Sequence, residues 1–350
     1  MSNERTDFNP ARRLLLKQMA VVALAASTGI TPDNKSATAP FFDPWRIGLN
    51  INTSAIRWYN LDITETIKRQ LELPVGRVRL PVRFDEVFPE PGVSKFDEVH
   101  RNIDQILNAD KEIDIQFGPK SVGGREVNLG YWIYEKFPYL RENGVLLDKD
   151  PDAKKLFLDL TYKVAGELLP QYPEIVSIQG SNEPLSKRLD VANYRRFSPS
   201  YVDDEIDVIR SVEHIRPMVT NIPWDTPSLV SWVLKNPKID IAGLNIYNNI
   251  YPGIVTEFLW KYFEALFILS RINHKSVFVT EYQTAPWLNN DKTVRFSFNP
   301  AKRLDGFRRI RKLNPGCTFL WDLEQHILLA DNGNNESQRF ISSLKEMVNT

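Results

Sequence analysis

Two glutamates stand where the chain gains no stability from them. Glu183 ends the stretch Gly180-Ser181-Asn182-Glu183, directly after an apolar run at residues 175–180. Glu281 follows the apolar run Val277-Phe278-Val279-Thr280. Burying a carboxylate is costly, so this placement points to chemistry rather than packing. Two carboxyl groups that meet can divide proton transfer and nucleophilic attack between them. Other polar or aromatic residues end similar runs: Arg79 in Arg77-Val78-Arg79-Leu80-Pro81, Tyr247 in Asn245-Ile246-Tyr247, and Trp321 just before Asp322. Asp322 and Glu324 are spare carboxylates that could stand in for Glu281. Asp85, Glu86 and Glu90 read as a solvated loop face.

The elements that must position these residues alternate in kind. Apolar strand patterns at residues 46–51, 77–82, 113–117, 175–180, 217–222, 239–247, 277–280 and 317–321 are separated by helical patterns. The helical stretches are 63–71, 96–109, 152–169, 201–215, 227–234, 255–272 and 301–313, with 336–348 closing the chain. Asp62 or Thr64 can cap the first of them. Residues 120–149 read as a long loop, and loops of that length are usually functional. Strand–helix alternation predicts a parallel sheet. Eight such units in one chain predict a (β/α)8 TIM barrel, a single catalytic domain over residues 41–350. A doubly wound open sheet would use the same units, but no Gly-rich phosphate turn follows any strand. In a TIM barrel the reactive residues lie at the C-terminal strand ends. Glu183 on the fourth strand and Glu281 on the seventh would then face each other across the barrel mouth.

This ordered set resembles the clan A glycoside hydrolases, the retaining TIM-barrel glycosidases that include cellulases of family 5. In that clan Asn-Glu ends strand 4, matching Asn182-Glu183, and a glutamate ends strand 7, matching Glu281. The strand-2 Arg, strand-6 Tyr and strand-8 Trp match Arg79, Tyr247 and Trp321. Phe88-Pro89-Glu90-Pro91-Gly92, with Phe96 beyond it, is similar to the clan's second loop. The chain departs from family 5 cellulases at Asn245-Ile246-Tyr247, where they carry a His just before the Tyr. The resemblance implies hydrolysis of a β-linked glycosidic bond with retention, Glu281 as nucleophile and Glu183 as acid/base. It implies further that Arg79 and Tyr247 donate to Glu281, that Asn182 bonds the sugar 2-hydroxyl, and that Trp321 offers a flat floor for the ring. Trp224 and Trp287, with Tyr131 and Trp132, fall in predicted loops and are candidates for further subsites. A transglycosylase on the same site and a non-catalytic glycan-binding barrel are the alternatives.

The totals restrict other classes. The chain has 350 residues, 42% of them hydrophobic, and 44 basic against 44 acidic side chains. A balanced charge offers no basic face for nucleic acid or an anionic membrane. A single cysteine, Cys317, makes an intrachain disulfide impossible and reads as a small buried residue. Four scattered histidines lack ligand spacing, so no metal or cofactor is expected, and the expected partner of a monomeric chain is an oligo- or polysaccharide. Residues 1–40 read as an address. Arg12-Arg13-Leu14-Leu15-Leu16-Lys17 precedes a short apolar core and resembles a twin-arginine export signal, followed by a polar linker. Export to the periplasm or beyond is the expectation, and an uncleaved signal would be the chain's one membrane contact.

Overall fold

Apart from local irregularities such as that in β7, the described strands alternate, and the alternation sorts two different environments. In a strand successive side chains point to opposite faces. The computed structural model describes residues 47–122, 127–186, 195–223, 227–247, 253–283 and 300–348. Its eight strands are β1 (Ile47–Asn50), β2 (Arg77–Arg83), β3 (Glu112–Gly118), β4 (Ile175–Gln179), β5 (Met218–Asn221), β6 (Ile241–Ile246), β7 (Ser276–Gln283) and β8 (Cys317–Trp321). They run parallel in chain order, and β8 closes on β1. The architecture is the (β/α)8 barrel that the alternating patterns predict. The export signal read at residues 1–40 lies outside the described residues.

The outward faces build the main core. Val78, Leu80 and Val82 of β2, Ala242, Leu244 and Ile246 of β6, and Val277 and Val279 of β7 pack with the helices in one apolar cluster. Helix Ile63–Leu71 is one of those that cover the barrel. Asp62 starts it by accepting the Glu65 amide at 2.8 Å, which satisfies one of the open amides of its first turn. Helix Pro151–Leu168 begins in the same way at Asp150.

The inward faces divide into two layers. Val219, Ile241, Phe278, Cys317 and Phe319 form a small apolar plug near the N-terminal end. A Cβ on Gly48 would overlap the Phe319 ring, so β1 carries no side chain there. Arg77 lies over the Phe278 ring at 5.0 Å and donates through Nε to Asp114 at 2.8 Å. Ser177 also bonds Asp114. One turn higher, the layer is polar: Asn50, Arg79, Gln116, Gln179, Asn221, Asn245 and Thr280 are all buried.

Several short elements have no counterpart in the sequence pattern. They are the helices Thr53–Trp58, Phe84–Val87, Tyr131–Lys136 and Leu323–Asp331, and the 3-10 turn Pro138–Arg141. Most span one or two turns, too short for a 3.6-residue repeat to register. Thr53–Trp58 depends on its cap, with Asn52 Oδ1 accepting the Ala55 amide at 3.0 Å. Leu323–Asp331 buries Glu324, Gln325 and His326 beside Leu323 and Ile327, which erases an amphipathic signature. Among the described residues no helix is long and apolar enough to cross a membrane.

The buried Arg77–Asp114 pair yields a stability prediction. Asp114→Ala takes from the buried Arg77 guanidinium its closest carboxylate and leaves the more exposed Glu112 at 3.5 Å. Breaking one side of a buried pair costs about 3–5 kcal/mol. A denaturant titration should show the midpoint falling accordingly, and an unchanged midpoint would show that the pair contributes nothing.

Candidate active site

The polar layer and the strand ends above it form one connected network. Arg79 is its centre, 2% exposed. Its Nη1 donates to Asn50 Oδ1 at 2.8 Å, and its Nε and Nη2 to Gln179 Oε1 at 3.0 and 2.7 Å. Nη2 also reaches Asn182 Oδ1 at 3.0 Å. Nη1 lies 3.6 Å from Glu281 Oε1. Burial pushes the Arg79 pKa below its usual value, and the Glu281 carboxylate is the main influence opposing that. An arginine stays charged in proteins, so the interior holds a fixed positive charge under Glu281.

Glu281 enters the site through an irregularity in β7. Val279 pairs with Thr318 of β8 and Tyr282 with Leu320, so Thr280 and Glu281 together oppose Phe319. On the other side Leu244 pairs with Val279 and Asn245 with Glu281. This is a bulge, which adds one residue to a strand and redirects side chains. Both Thr280 and Glu281 consequently turn inward. Thr280 Oγ1 donates to Asn245 Oδ1 at 2.7 Å, while Tyr247 donates its hydroxyl proton to Glu281 Oε2. The sequence pattern ends the seventh strand at Thr280; the structure carries it through Gln283, with Glu281 inside it.

Glu183 is held from several sides at the end of β4. Its backbone has φ 41°, a left-handed conformation that side-chain-bearing residues rarely adopt. The turn is fixed by its neighbours. Gln116 Nε2 donates to the Gly180 carbonyl at 3.0 Å, the Asn182 amide to the Lys120 carbonyl at 2.8 Å, and the Glu183 amide to Asn221 Oδ1 at 2.9 Å. The buried Lys120 ammonium donates to the Glu183 carbonyl at 2.8 Å. Asn245 Nδ2 donates to the Glu183 carboxyl at Oε1, 2.7 Å away. Asn245 therefore touches one glutamate and stands opposite the other in the β6–β7 register. A single barrel mouth brings together Arg79, Asn182, Glu183, Tyr247 and Glu281.

The remaining expected residues divide. Trp321 ends β8 in the inward register of Cys317 and Phe319, opposite Gln283, and is part exposed. Trp224 and Trp287 lie outside the described residues. Trp132 anchors its loop by donating Nε1 to the Phe88 carbonyl at 3.0 Å, and Tyr131 is exposed beside Arg141. Asp85 and Glu86 form ion pairs with Arg83, and Glu86 also with Arg57. Asp322 and Glu324 turn aside from the pair: Asp322 takes the Tyr59 hydroxyl at 3.5 Å, and Glu324 takes Gln70 Nε2 at 3.1 Å. Among the described residues no group of three His, Cys, Asp or Glu side chains is arranged to hold a metal ion.

Sequence reasoning passed over Asn50, Gln179, Asn221 and Thr280 and gave Asn245 no role. Their common signal is a polar residue on every second position of an otherwise apolar strand, in phase with the strand-end residues.

Similarity by sequence adds nothing here: no known protein family and no curated protein matches the chain. Solved structures do resemble it. An exo-β-1,4-mannosidase from Opitutaceae bacterium strain TAV5 aligns over 91% of this chain and 63% of its own length, at 13% identity and TM-score 0.59. A GH5_18 variant from Bifidobacterium longum subsp. longum, in complex with Manβ1-4GlcNAc, aligns over 87% of this chain and 78% of its own, at 16% identity and TM-score 0.59. Cel5A from Thermotoga maritima, with cellobiose, aligns over 79% and 88%, at 14% identity and TM-score 0.52. The chain thus spans less than two thirds of the mannosidase's length. At these identities the likeness is one of fold.

The spare carboxylates predict a pH response. Burial pushes the Asp322 carboxyl up to about 7 and Glu324 well above its ordinary value, the latter also through repulsion by Asp322. An unfolded Asp loses its proton near ~3.9. Between that pH and about 7 the folded chain binds more protons, so stability declines as pH rises through this window. The loss expected is on the order of 2–4 kcal/mol. Asp322→Asn should flatten the decline in unfolding temperature measured from pH 5 to pH 8; an equally steep decline would discount Asp322 as its source.

Proposed function

We propose that this chain is a retaining glycoside hydrolase acting on a β-linked oligo- or polysaccharide. The observation that carries the reading is the unequal support of two buried glutamates at one barrel mouth. Glu281 faces a guanidinium and a phenol donor, both of which favour its anion. Glu183 faces the neutral amide of Asn245. Two carboxyls with unlike neighbours, one beside a guanidinium and a phenol and the other beside an amide, suit the division of labour that glycoside cleavage with retention requires. The barrel fold shared with a mannosidase and a cellobiose-bound structure is consistent with this reading.

In the first step Glu281 forms a bond to the anomeric carbon as the glycosidic C–O bond breaks. Glu183 gives its proton to the departing oxygen. In the second step Glu183 takes a proton from water, whose oxygen bonds the anomeric carbon and releases Glu281. Because Arg79 occupies Asn182 Oδ1, the Asn182 Nδ2 is the end that can donate to a sugar hydroxyl. Trp321, at the end of β8, is the candidate platform for a sugar ring.

Aryl β-glycosides test the mechanism. Glu281→Ala should lower turnover by more than ~10³-fold. Glu183→Ala should be rescued by azide, giving a glycosyl azide of retained configuration by NMR. Unchanged turnover in Glu281→Ala refutes the assignment.

Export through the twin-arginine-like leader is a separate part of the proposal. It rests on the Arg12-Arg13 pair and the apolar core that follows. Replacing both arginines with lysine should leave the protein in the cytoplasm of an expressing bacterium, and undiminished export would refute it.

A further inference from the structure

Glu205 is a carboxylate that neither the fold nor the proposed chemistry uses directly. It sits on helix Pro199–Arg210, which starts with a Ser198 cap, and it is 1% exposed. Its Oε2 accepts the Ser181 amide at 2.9 Å, and its Oε1 accepts the Ser181 hydroxyl at 2.8 Å. The Tyr201 hydroxyl approaches Oε1 at 3.3 Å. Room for the carboxyl exists because two strand ends lack side chains. A Cβ on Gly180 would collide with Oε2, and one on Gly118 would lie 3.0 Å from Oε1.

The placement is costly. Burial raises the Glu205 pKa to about 7, and its hydrogen bonds offset this only in part. A helix that merely packed on the barrel would do so more cheaply with an apolar residue. What the carboxylate provides is two acceptor oxygens that grip one residue, Ser181, by both its amide and its hydroxyl. Glutamine could not reproduce this, since one of its two terminal atoms is a donor. Ser181 lies two residues before Glu183, in the same turn that adopts φ 41°.

We propose that Glu205 is a positioning residue that aims the Glu183 carboxyl at the leaving-group oxygen by clamping Ser181. The inference rests on the reading of Glu183 as general acid. Gln116, Lys120 and Asn221 hold the other peptide groups of the turn. Glu205 supplies the grip at Ser181, from the helix side. A loosened Ser181 lets the turn relax toward ordinary backbone angles, and the acid then loses its line to the departing oxygen.

The test compares two probes on the full chain: phenyl and 2,4-dinitrophenyl glycosides, prepared as β-mannosides and β-glucosides. The phenyl group needs protonation to leave and the dinitrophenyl group does not. General acid assistance is worth roughly 10²–10⁴-fold. Glu205→Gln should therefore lower kcat/KM on the phenyl glycoside by about 10–100-fold, within that range, and on the dinitrophenyl glycoside by less than about threefold. Ser181→Ala, which removes only the hydroxyl, should move the same ratio in the same direction and keeps the inference testable if Glu205→Gln fails to fold. Equal losses on both probes, or none on either, overturn the inference. Glu183→Ala on the same probes separates the two levels. If Glu183→Ala loses phenyl activity selectively and the Ser181 and Glu205 variants do not, only the positioning role falls. If Glu183→Ala shows no selectivity, the acid assignment falls and the positioning role with it.

Discussion

A guanidinium buried inside a barrel must be met on nearly every N–H, and that demand organises this protein. Arg79 cannot shed its charge, and burial denies it water. Its partners therefore come from three strands: Asn50 from β1, Gln179 and Asn182 from β4 and its turn, and Glu281 from β7. Each partner is in turn bound to others. Gln179 donates to Asn221, and Asn221 Nδ2 donates to Thr280 Oγ1 at 2.9 Å. The upper half of the barrel interior is thus a hydrogen-bonded solid, in contrast to the apolar plug beneath it. Satisfied networks of this kind give rigidity, and this one fixes the two glutamates at the mouth.

The network also gives the two glutamates different neighbours at similar burial. Both are nearly inaccessible. What separates them is the set of groups that their carboxyls meet. Arg79 and the Tyr247 hydroxyl stand at the Glu281 carboxyl, whereas the Asn245 amide stands at the Glu183 carboxyl and the Lys120 ammonium at the Glu183 carbonyl. A neutral donor at Asn245 does not change its charge with pH, whereas a histidine there would titrate near neutrality. The absence of histidine before Tyr247 therefore removes one ionisable group from the immediate surroundings of Glu183.

Much of this was legible in the sequence. The strand–helix alternation specified the barrel because the outward faces are apolar at period two and the covering helices at period 3.6. Asn182, Glu183, Tyr247 and Glu281 stood out because they close apolar runs, and Arg79 because it interrupts one; the structure puts all five at one mouth. Two kinds of feature were hidden. The interior partners Asn50, Gln179, Asn221 and Thr280 are common polar residues whose meaning depends on strands distant in sequence. The β7 bulge was hidden for a different reason: Val277-Phe278-Val279-Thr280-Glu281 looks like a regular strand, and only pairing with both neighbours reveals the extra residue. Asp322 and Glu324 looked like spare site carboxylates but turn toward Tyr59 and Gln70, where the short helix after β8 meets the helices that follow β1.

That bulge has a consequence for anyone moving this site to another scaffold. In a regular strand Thr280 and Glu281 would point to opposite faces, and the glutamate would be driven among the helices. Copying the letters of the seventh strand would transfer its chemistry only if the recipient also accepted one surplus residue between its sixth and eighth strands. The place of Glu281 is a miscount in the sheet, and a graft that restored the even count would erase it while leaving every residue name intact.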